Sequence, residues 1–386
     1  MSPTPTSVSP SPSLSDETTL ALTLDCLLEH LPLKTEGSYS LATLYSVLLR
    51  AASHQDTIEH TCQILEHVPS SNGVRYHLNQ LTDMAALERQ MNAALQQRLP
   101  EDIVNHRHRL AIDLHLIPYY GTPSSSEQPY LYHAKAKAGT TTFFAYGTIY
   151  VIRCHQRVTL AIHGIPPGET LVATLTILLA ALSPLRVKIE RLYLDRGFYS
   201  IPVMRWLQAL RVPFILPAII RGKRGGTRAL CQGRCSYLSP YTLHSADYGS
   251  LTVQIAVVCR YHQGKRRRHG VHYLLFVVYR VRVALHQLPR HYRHRFGIET
   301  SYRLKNQCRI RTTTKRPQVR FFFVALAFLL VNLWIWLLWT HLSRSRRGYR
   351  QVYQRRFPLN TMLEFLSHAV ERRFPLIHTI SLPPPT

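Results

Sequence analysis

The sequence predicts an α/β protein: a layered sheet domain carrying a β-rich insertion and preceded by a helical region. Three observations carry that expectation. Residues 17 to about 100 place leucines at helical spacing. From Arg109 onward, apolar runs alternate and are bounded by Gly, Pro and polar loops. The order that follows is three strands, helix, strand, helix, strand, with two further β runs before a last helical stretch.

Composition limits the partners. The 386 residues carry 47 Lys plus Arg against 21 Asp plus Glu, a formal charge of +26. The excess is spread along the chain, which favours a large polyanion, because cations gain affinity by releasing the counterions of nucleic-acid phosphates. A basic protein on a membrane surface is the competing reading. Seven scattered cysteines, an odd number, suit a reducing compartment. Met1 to Asp16 is rich in Ser, Pro and Thr and lacks an apolar core, so it reads as a disordered leader, not a signal peptide.

The helical region spans 17–104. Leu20, Leu22, Leu24, Leu27 and Leu28 open it; Leu41, Leu44, Leu48 and Leu49 form a second stripe, and Tyr76 to Gln97 reads as a further helix. Such modules are common DNA readers, although stripes of this kind are more often core. RLAIDLHLIPYYG is then an apolar strand with Asp113 at its middle, closed by Pro118 and Gly121. TTFFAYGTIYVIRC and QRVTLAIHGI read as a hairpin, and Gly168 to Leu182 as a helix with Glu169 in its first turn. Val187 to Leu194 is a strand ending at Asp195, Ile201 to Leu210 a helix, and Val212 to Leu216 a strand. That order is the one an RNase H-like layered domain requires, its first part covering 105–217.

Residues 218–285 interrupt it with a basic Gly-rich loop, RGKRGGT, and two β runs joined by HQGKRRRHG. Arg221, Lys223, Arg224, Lys265, Arg266 and Arg267 are candidate phosphate contacts there, with a solvated loop as the equal alternative. The second part of the domain, 286–342, holds Glu299 and the run Phe321 to Trp339. Those 19 residues contain one polar side chain, Asn332, and are long enough to span a membrane; a helix buried on all sides is the other reading. Residues 343–386 read as a basic tail with a short helix. Cys231-x3-Cys235 with Cys259-x2-His262 fits no standard zinc spacing well and reads as ordinary thiols.

The sharpest constellation is Asp113 within a strand, Asp195 at a strand end and Glu299 on a helix. Three carboxylates suit two hard cations, Mg²⁺ or Mn²⁺, set roughly 3.5–4 Å apart for phosphoryl transfer. For any one of these acids alone, a loop or cap role is the usual explanation. His115, two residues from Asp113, shares its strand face.

AIDLHLIPYYG, YLDRGFYS and YRHRFGIETSYR resemble the three blocks of DDE-type insertion-sequence transposases. The group with a β-strand insertion between the second Asp and the Glu (insertion-sequence family four and relatives) is the most similar. The resemblance covers about residues 105 to 340. The third block of that group is Tyr, two residues, Arg, three residues, Glu, six residues, Lys; Tyr292, Arg295 and Glu299 match, and Asn306 stands at the Lys position. On an ideal helix Asn306 lies about 20° from Glu299, Lys305 roughly 120° and Arg303 about 40°. Arg303 is therefore a better substitute than Lys305 for the missing cation. The resemblance implies that Asp113, Asp195 and Glu299 are catalytic metal ligands for two Mg²⁺ or Mn²⁺ ions. It implies DNA-phosphate contacts at Tyr292 and Arg295, and a buried helix at Phe321 to Trp339 in place of a membrane span. The expected activity is cut-and-paste transposition of terminal inverted repeats into target DNA by a homodimer on paired ends, in the cytoplasm at the nucleoid. A nuclease of the same fold without strand transfer and an inactive DNA-binding relic are the alternatives.

Overall fold

The computed structural model describes residues 13–33, 37–153, 157–262 and 270–379. Five helices open the described chain: α1 (Asp16–His30), α2 (Leu41–Ser53), α3 (Ile58–Ile64), α4 (Ser71–Leu78) and α5 (Met84–Gln97). Each begins where a short polar side chain caps it. Ser15, Ser40, Thr57, Ser70 and Asp83 accept from the backbone N–H three residues on, which satisfies a donor the helix leaves open. The single helix expected over Tyr76 to Gln97 is therefore two, because Asp83 starts a new one.

The strands follow as β1 (Arg107–Pro118), β2 (Tyr132–Lys137), β3 (Thr140–Val151) and β4 (Thr159–Ile165). Next come α6 (Leu171–Ala180), β5 (Lys188–Tyr193), α7 (Ile201–Ala209), β6 (Phe214–Pro217), β7 (Tyr237–Ser245), β8 (Gly249–His262) and β9 (Gly270–Tyr279). The short α8 (Leu288–Arg293), a 3₁₀ turn at His294–Phe296 and α9 (Gly297–Gln307) form the third-block region. The chain continues through α10 (Pro317–His341), β10 (Ser343–Arg346), β11 (Tyr349–Val352) and α11 (Leu359–Arg373).

The described chain falls into two compact units, one of 101–302 and one of 1–100 with 303–386. The first unit is built on a nine-stranded mixed sheet, ordered β2-β3-β1-β5-β6-β9-β8-β7, with β4 also paired to β3. β1 runs antiparallel to β3 and parallel to β5, and β5 runs parallel to β6. This architecture agrees with an RNase H-like arrangement. The insertion is not a separate body: β9 pairs antiparallel with β6, so β9, β8 and β7 prolong the same sheet. β2 and β7 were not foreseen, being short of continuous apolar residues and half exposed. Glu169 precedes the α6 cap Thr170 instead of lying in the first turn, and its carboxylate accepts from Thr174 Oγ1 at 2.6 Å.

In the second unit α10 packs on α5 and α11, and α11 on α1 and α2. An 18-residue window of α10 is 94% buried, which accounts for a helix apolar all round. Its one internal polar side chain is satisfied: Asn332 Nδ2 donates to Leu95 O at 3.1 Å. The helix thus groups with the N-terminal helices, whereas the sequence boundary placed it in the second part of the sheet domain. Of the basic 343–386 segment, residues 343–379 are described. They form the β10–β11 hairpin and α11, whose Arg372 pairs with Asp16 of α1 at 2.6 Å.

Candidate active site

β1 is longer than its parallel neighbour. Its pairing with β5 ends at Ala111↔Tyr193, so Asp113 extends past the C-terminal end of β5, while Thr148 of β3 holds its other side. Asp195 lies two residues beyond the end of β5 and opens a 3₁₀ turn at Arg196–Phe198, yet its carboxylate makes no cap bond there. The usual role for an aspartate at such a position is therefore unfilled. The carboxyl ends of parallel strands are where α/β sheets open a crevice, and both acids converge there.

Arg295 fixes how close they come. Its Nη2 lies 3.2 Å from Asp113 Oδ1 and 3.6 Å from Asp195 Oδ1. Leu288 and Tyr292 bury the α8 turn against Tyr150, Tyr193, Ile215 and Phe276 of the sheet. Tyr150 Oη then donates to the Arg295 carbonyl at 2.7 Å. The Nε–H of Arg295 is buried with no partner among the described residues. Asp113 is nearly buried, and burial pushes its carboxyl up to about 6; Arg295 opposes that rise and the Asp195 carboxylate adds to it.

Glu299 is exposed on α9 and lines the same cavity, of about 920 Å³, as Asp113, Asp195 and Arg295. Arg295 lies within the 3₁₀ turn and Glu299 in the first turn of α9 that follows it. Among the described residues no three His, Cys, Asp or Glu side chains stand close enough to hold one ion. The donor chemistry nevertheless fits divalent cations: two hard carboxylates converge and a third lines their cavity.

Other expected residues differ in position. The Tyr292 hydroxyl donates to Leu194 O at 3.0 Å and so braces the residue before Asp195. Lys305 is only 2% exposed, its Nζ 5.8 Å from the Phe328 ring centre, because α9 turns that face into its unit. Of the two candidate DNA contacts on α9, Lys305 is turned inward and Arg303 is the exposed one. Arg303 is exposed, and Asn306 lines a cavity of the helical unit. Arg221, Lys223 and Arg224 are exposed on a tight loop in which Thr227 Oγ1 accepts from Arg221 N–H and donates to Ile219 O. Lys265, Arg266 and Arg267 lie outside the described residues, as does the side chain of His262. Cys231, Cys235 and Cys259 are free thiols. His115 lines the cavity, its ring centre 4.8 Å from that of Tyr302. Tyr302, which shares a 2.8 Å hydrogen bond with Thr148 Oγ1, went unnoticed in the sequence; its place three residues after Glu299 was the available signal.

The family model for the transposase DDE domain matches residues 106–333, more than half of the chain. The chain belongs to the DDE transposase family. The match spans both aspartates and Glu299. No curated protein matches. Among solved structures, a cryo-EM structure of the piggyBac transposase synaptic complex with hairpin DNA is similar, with a TM-score of 0.53 and 12% identity over 93% of this chain and 78% of that one. At that identity the likeness is one of fold. The transposase domain thus has its two aspartates at the open end of the parallel strands.

Proposed function

We propose that the chain is a cut-and-paste DNA transposase of the insertion-sequence family-four kind, acting on terminal inverted repeats and target DNA as a homodimer on paired ends. The observation that carries this reading is the convergence of Asp113 and Asp195 on one guanidinium, with Glu299 on the same cavity. DNA as the partner follows from the family, from the +26 charge and from the DNA in the similar complex.

Asp113, Asp195 and Glu299 would hold two Mg²⁺ or Mn²⁺ ions, which supply Lewis-acid activation of the nucleophile and stabilisation of the leaving oxygen. The chain's own groups set the conditions. Asp113, its pKa raised to about 6 by burial, would act as a ligand in its ionised form, which predominates above that pH. Arg295 keeps two carboxylates together before DNA arrives, and as a guanidinium it would also suit a phosphate oxygen. Tyr292 braces Leu194 and, through it, Asp195. Water would first hydrolyse the phosphodiester at the element end, leaving a 3′-hydroxyl; that hydroxyl then attacks a target phosphodiester and displaces its 3′ oxygen. The exposed Arg221, Lys223, Arg224 and Arg303 would bind backbone, which positions DNA without reading sequence.

The test is Mg²⁺- or Mn²⁺-dependent cleavage of DNA carrying the element's own ends, wild type beside Glu299→Gln. Cleavage lost in the variant while DNA binding persists is expected. Equal cleavage by both removes Glu299 from the chemistry. Cleavage without joined products marks a nuclease, and binding without cleavage by either protein marks an inactive relic.

A further inference from the structure

A second cavity, of about 950 Å³, lies wholly within the helical unit. We propose that it is a binding cleft for the phosphodiester backbone of DNA, distinct from the carboxylate cavity. The stretch Arg309 to Arg316 reads RIRTTTKR and joins α9 to α10 without helix or strand. Ile310 is 1% exposed and anchors the segment, while the exposed Arg309 and Arg311 on either side of it both line the cavity. Two guanidinium groups on one wall suit a chain of phosphates better than a single one.

The segment is held in place. Arg311 N–H donates to Asp56 O at 2.8 Å, and Arg316 Nη2 to Asn79 O at 3.1 Å. Thr312 Oγ1 accepts from Thr314 N–H at 3.0 Å. Charge is one-sided: Arg75, Arg309, Arg311 and Arg316 face one lining carboxylate, Glu59, and that carboxylate is already bound by Arg75 at 2.8 Å. Among the described residues no acid pairs with Arg309, Arg311 or Arg316. Guanidinium groups match phosphate oxygens in a fork, and threonine hydroxyls add neutral donors. Val319 and Phe323 line the cavity at the start of α10 and offer apolar surface to a sugar or base. The positive end of that 25-residue helix adds to the same field.

The proposal concerns binding, not cutting, so it is tested apart from the catalytic reading. The full chain would be titrated in EDTA against a fluorescein-labelled duplex of arbitrary sequence, over a range of salt. Arg309→Gln/Arg311→Gln should lower the slope of log affinity against log salt by about 2, two phosphate contacts being lost. Asn306→Asp, which adds a carboxylate at the exposed rim and removes no arginine, should weaken binding as well. Arg344→Gln/Arg347→Gln, an equal charge loss on the exposed hairpin, should change the slope less. An equal change in both double variants would make the effect one of general charge and overturn the cleft. So would a mononucleotide that displaces DNA at equal phosphate concentration, since the site would then hold a small anion. Weaker DNA binding in Arg309→Gln/Arg311→Gln with cleavage retained at saturating protein, against retained binding with cleavage lost in Glu299→Gln, separates this inference from the proposed function.

Discussion

Arg295 joins two strands through their acids: its Nη2 is 3.2 Å from Asp113 on β1 and 3.6 Å from Asp195 just past β5. A buried guanidinium between two carboxylates keeps their mutual repulsion in check, and its own charge persists against burial because Tyr292, Asp113 and Asp195 favour it. The arrangement holds both acids close to one guanidinium.

Removing one partner of such a cluster leaves uncompensated charge. Arg295→Met is expected to cost about 3 kcal/mol at neutral pH in EDTA. Asp113 has a folded pKa above its unfolded value, so its ionised form opposes folding: stability is highest at low pH and falls as pH rises towards about 6. Without Arg295 that fall should continue above pH 6, so the gap between wild type and variant widens there. Urea denaturation across pH measures it. Asp113→Asn in the same background should flatten the dependence, and a gap independent of pH would show that Arg295 stabilises in some other way.

Tyr292→Phe separates bracing from DNA contact. The ring and its packing remain, but Leu194 O loses its donor in a buried position, at about 1–2 kcal/mol. DNA affinity should be unchanged while the urea midpoint drops. Weaker DNA binding with an unchanged midpoint would restore the phosphate role that the family pattern implies for this residue.

What could be read from the sequence follows from what each pattern encodes. Asp113 and Asp195 were legible because apolar periodicity marks the strands and their ends, and scarce acids stand out in a chain of +26. The inward turn of Lys305 was not legible, since helical arithmetic gives angles between residues but not which side meets a neighbouring helix. Nor was the 3₁₀ turn at His294–Phe296, whose residues have no breaker among them. β7 escaped because half of its residues face solvent, and its place in the sheet depends on β8 lying beside it. The helical spacing of leucines over residues 17 to about 100 is a local pattern, but the partnership of residues 303–386 with 1–100 is a long-range matter no local pattern carries.

The basic loop depends on Gly222 and Gly226, both at positive φ where a Cβ would meet backbone. Gly222 has φ +92, and a Cβ there would lie 2.3 Å from Gly225 O, a clash with backbone that no rotamer relieves. Gly222→Ala should therefore distort the loop and weaken DNA binding through Arg221, Lys223 and Arg224. Gly225→Ala, where a Cβ meets nothing within 4 Å, is the matched control and should bind as wild type. Anisotropy titration of both decides. Equal affinity in the two variants would mean that the loop's shape is irrelevant to DNA.

Lys305 gives the clearest pH signature. Burial pushes its ammonium down to about 8, helped by the neighbouring charge of Arg309 and opposed by Cys308. In the unfolded chain the group titrates near 10.5, so between those values the unfolded state binds more protons, and stability rises with pH. Below pH 8 both states are protonated and the full penalty applies, on the order of 3 kcal/mol at 1.36 kcal/mol per pH unit. Lys305→Met fills similar space beside Phe328 without the charge. The variant should be more stable than wild type at pH 7, with the advantage shrinking from pH 8 and nearly gone at about pH 10. Thermal or urea melts over that range measure the difference. A constant advantage would mean that the lysine is solvated in the folded protein, and a loss at every pH would mean that its polar contacts outweigh its burial.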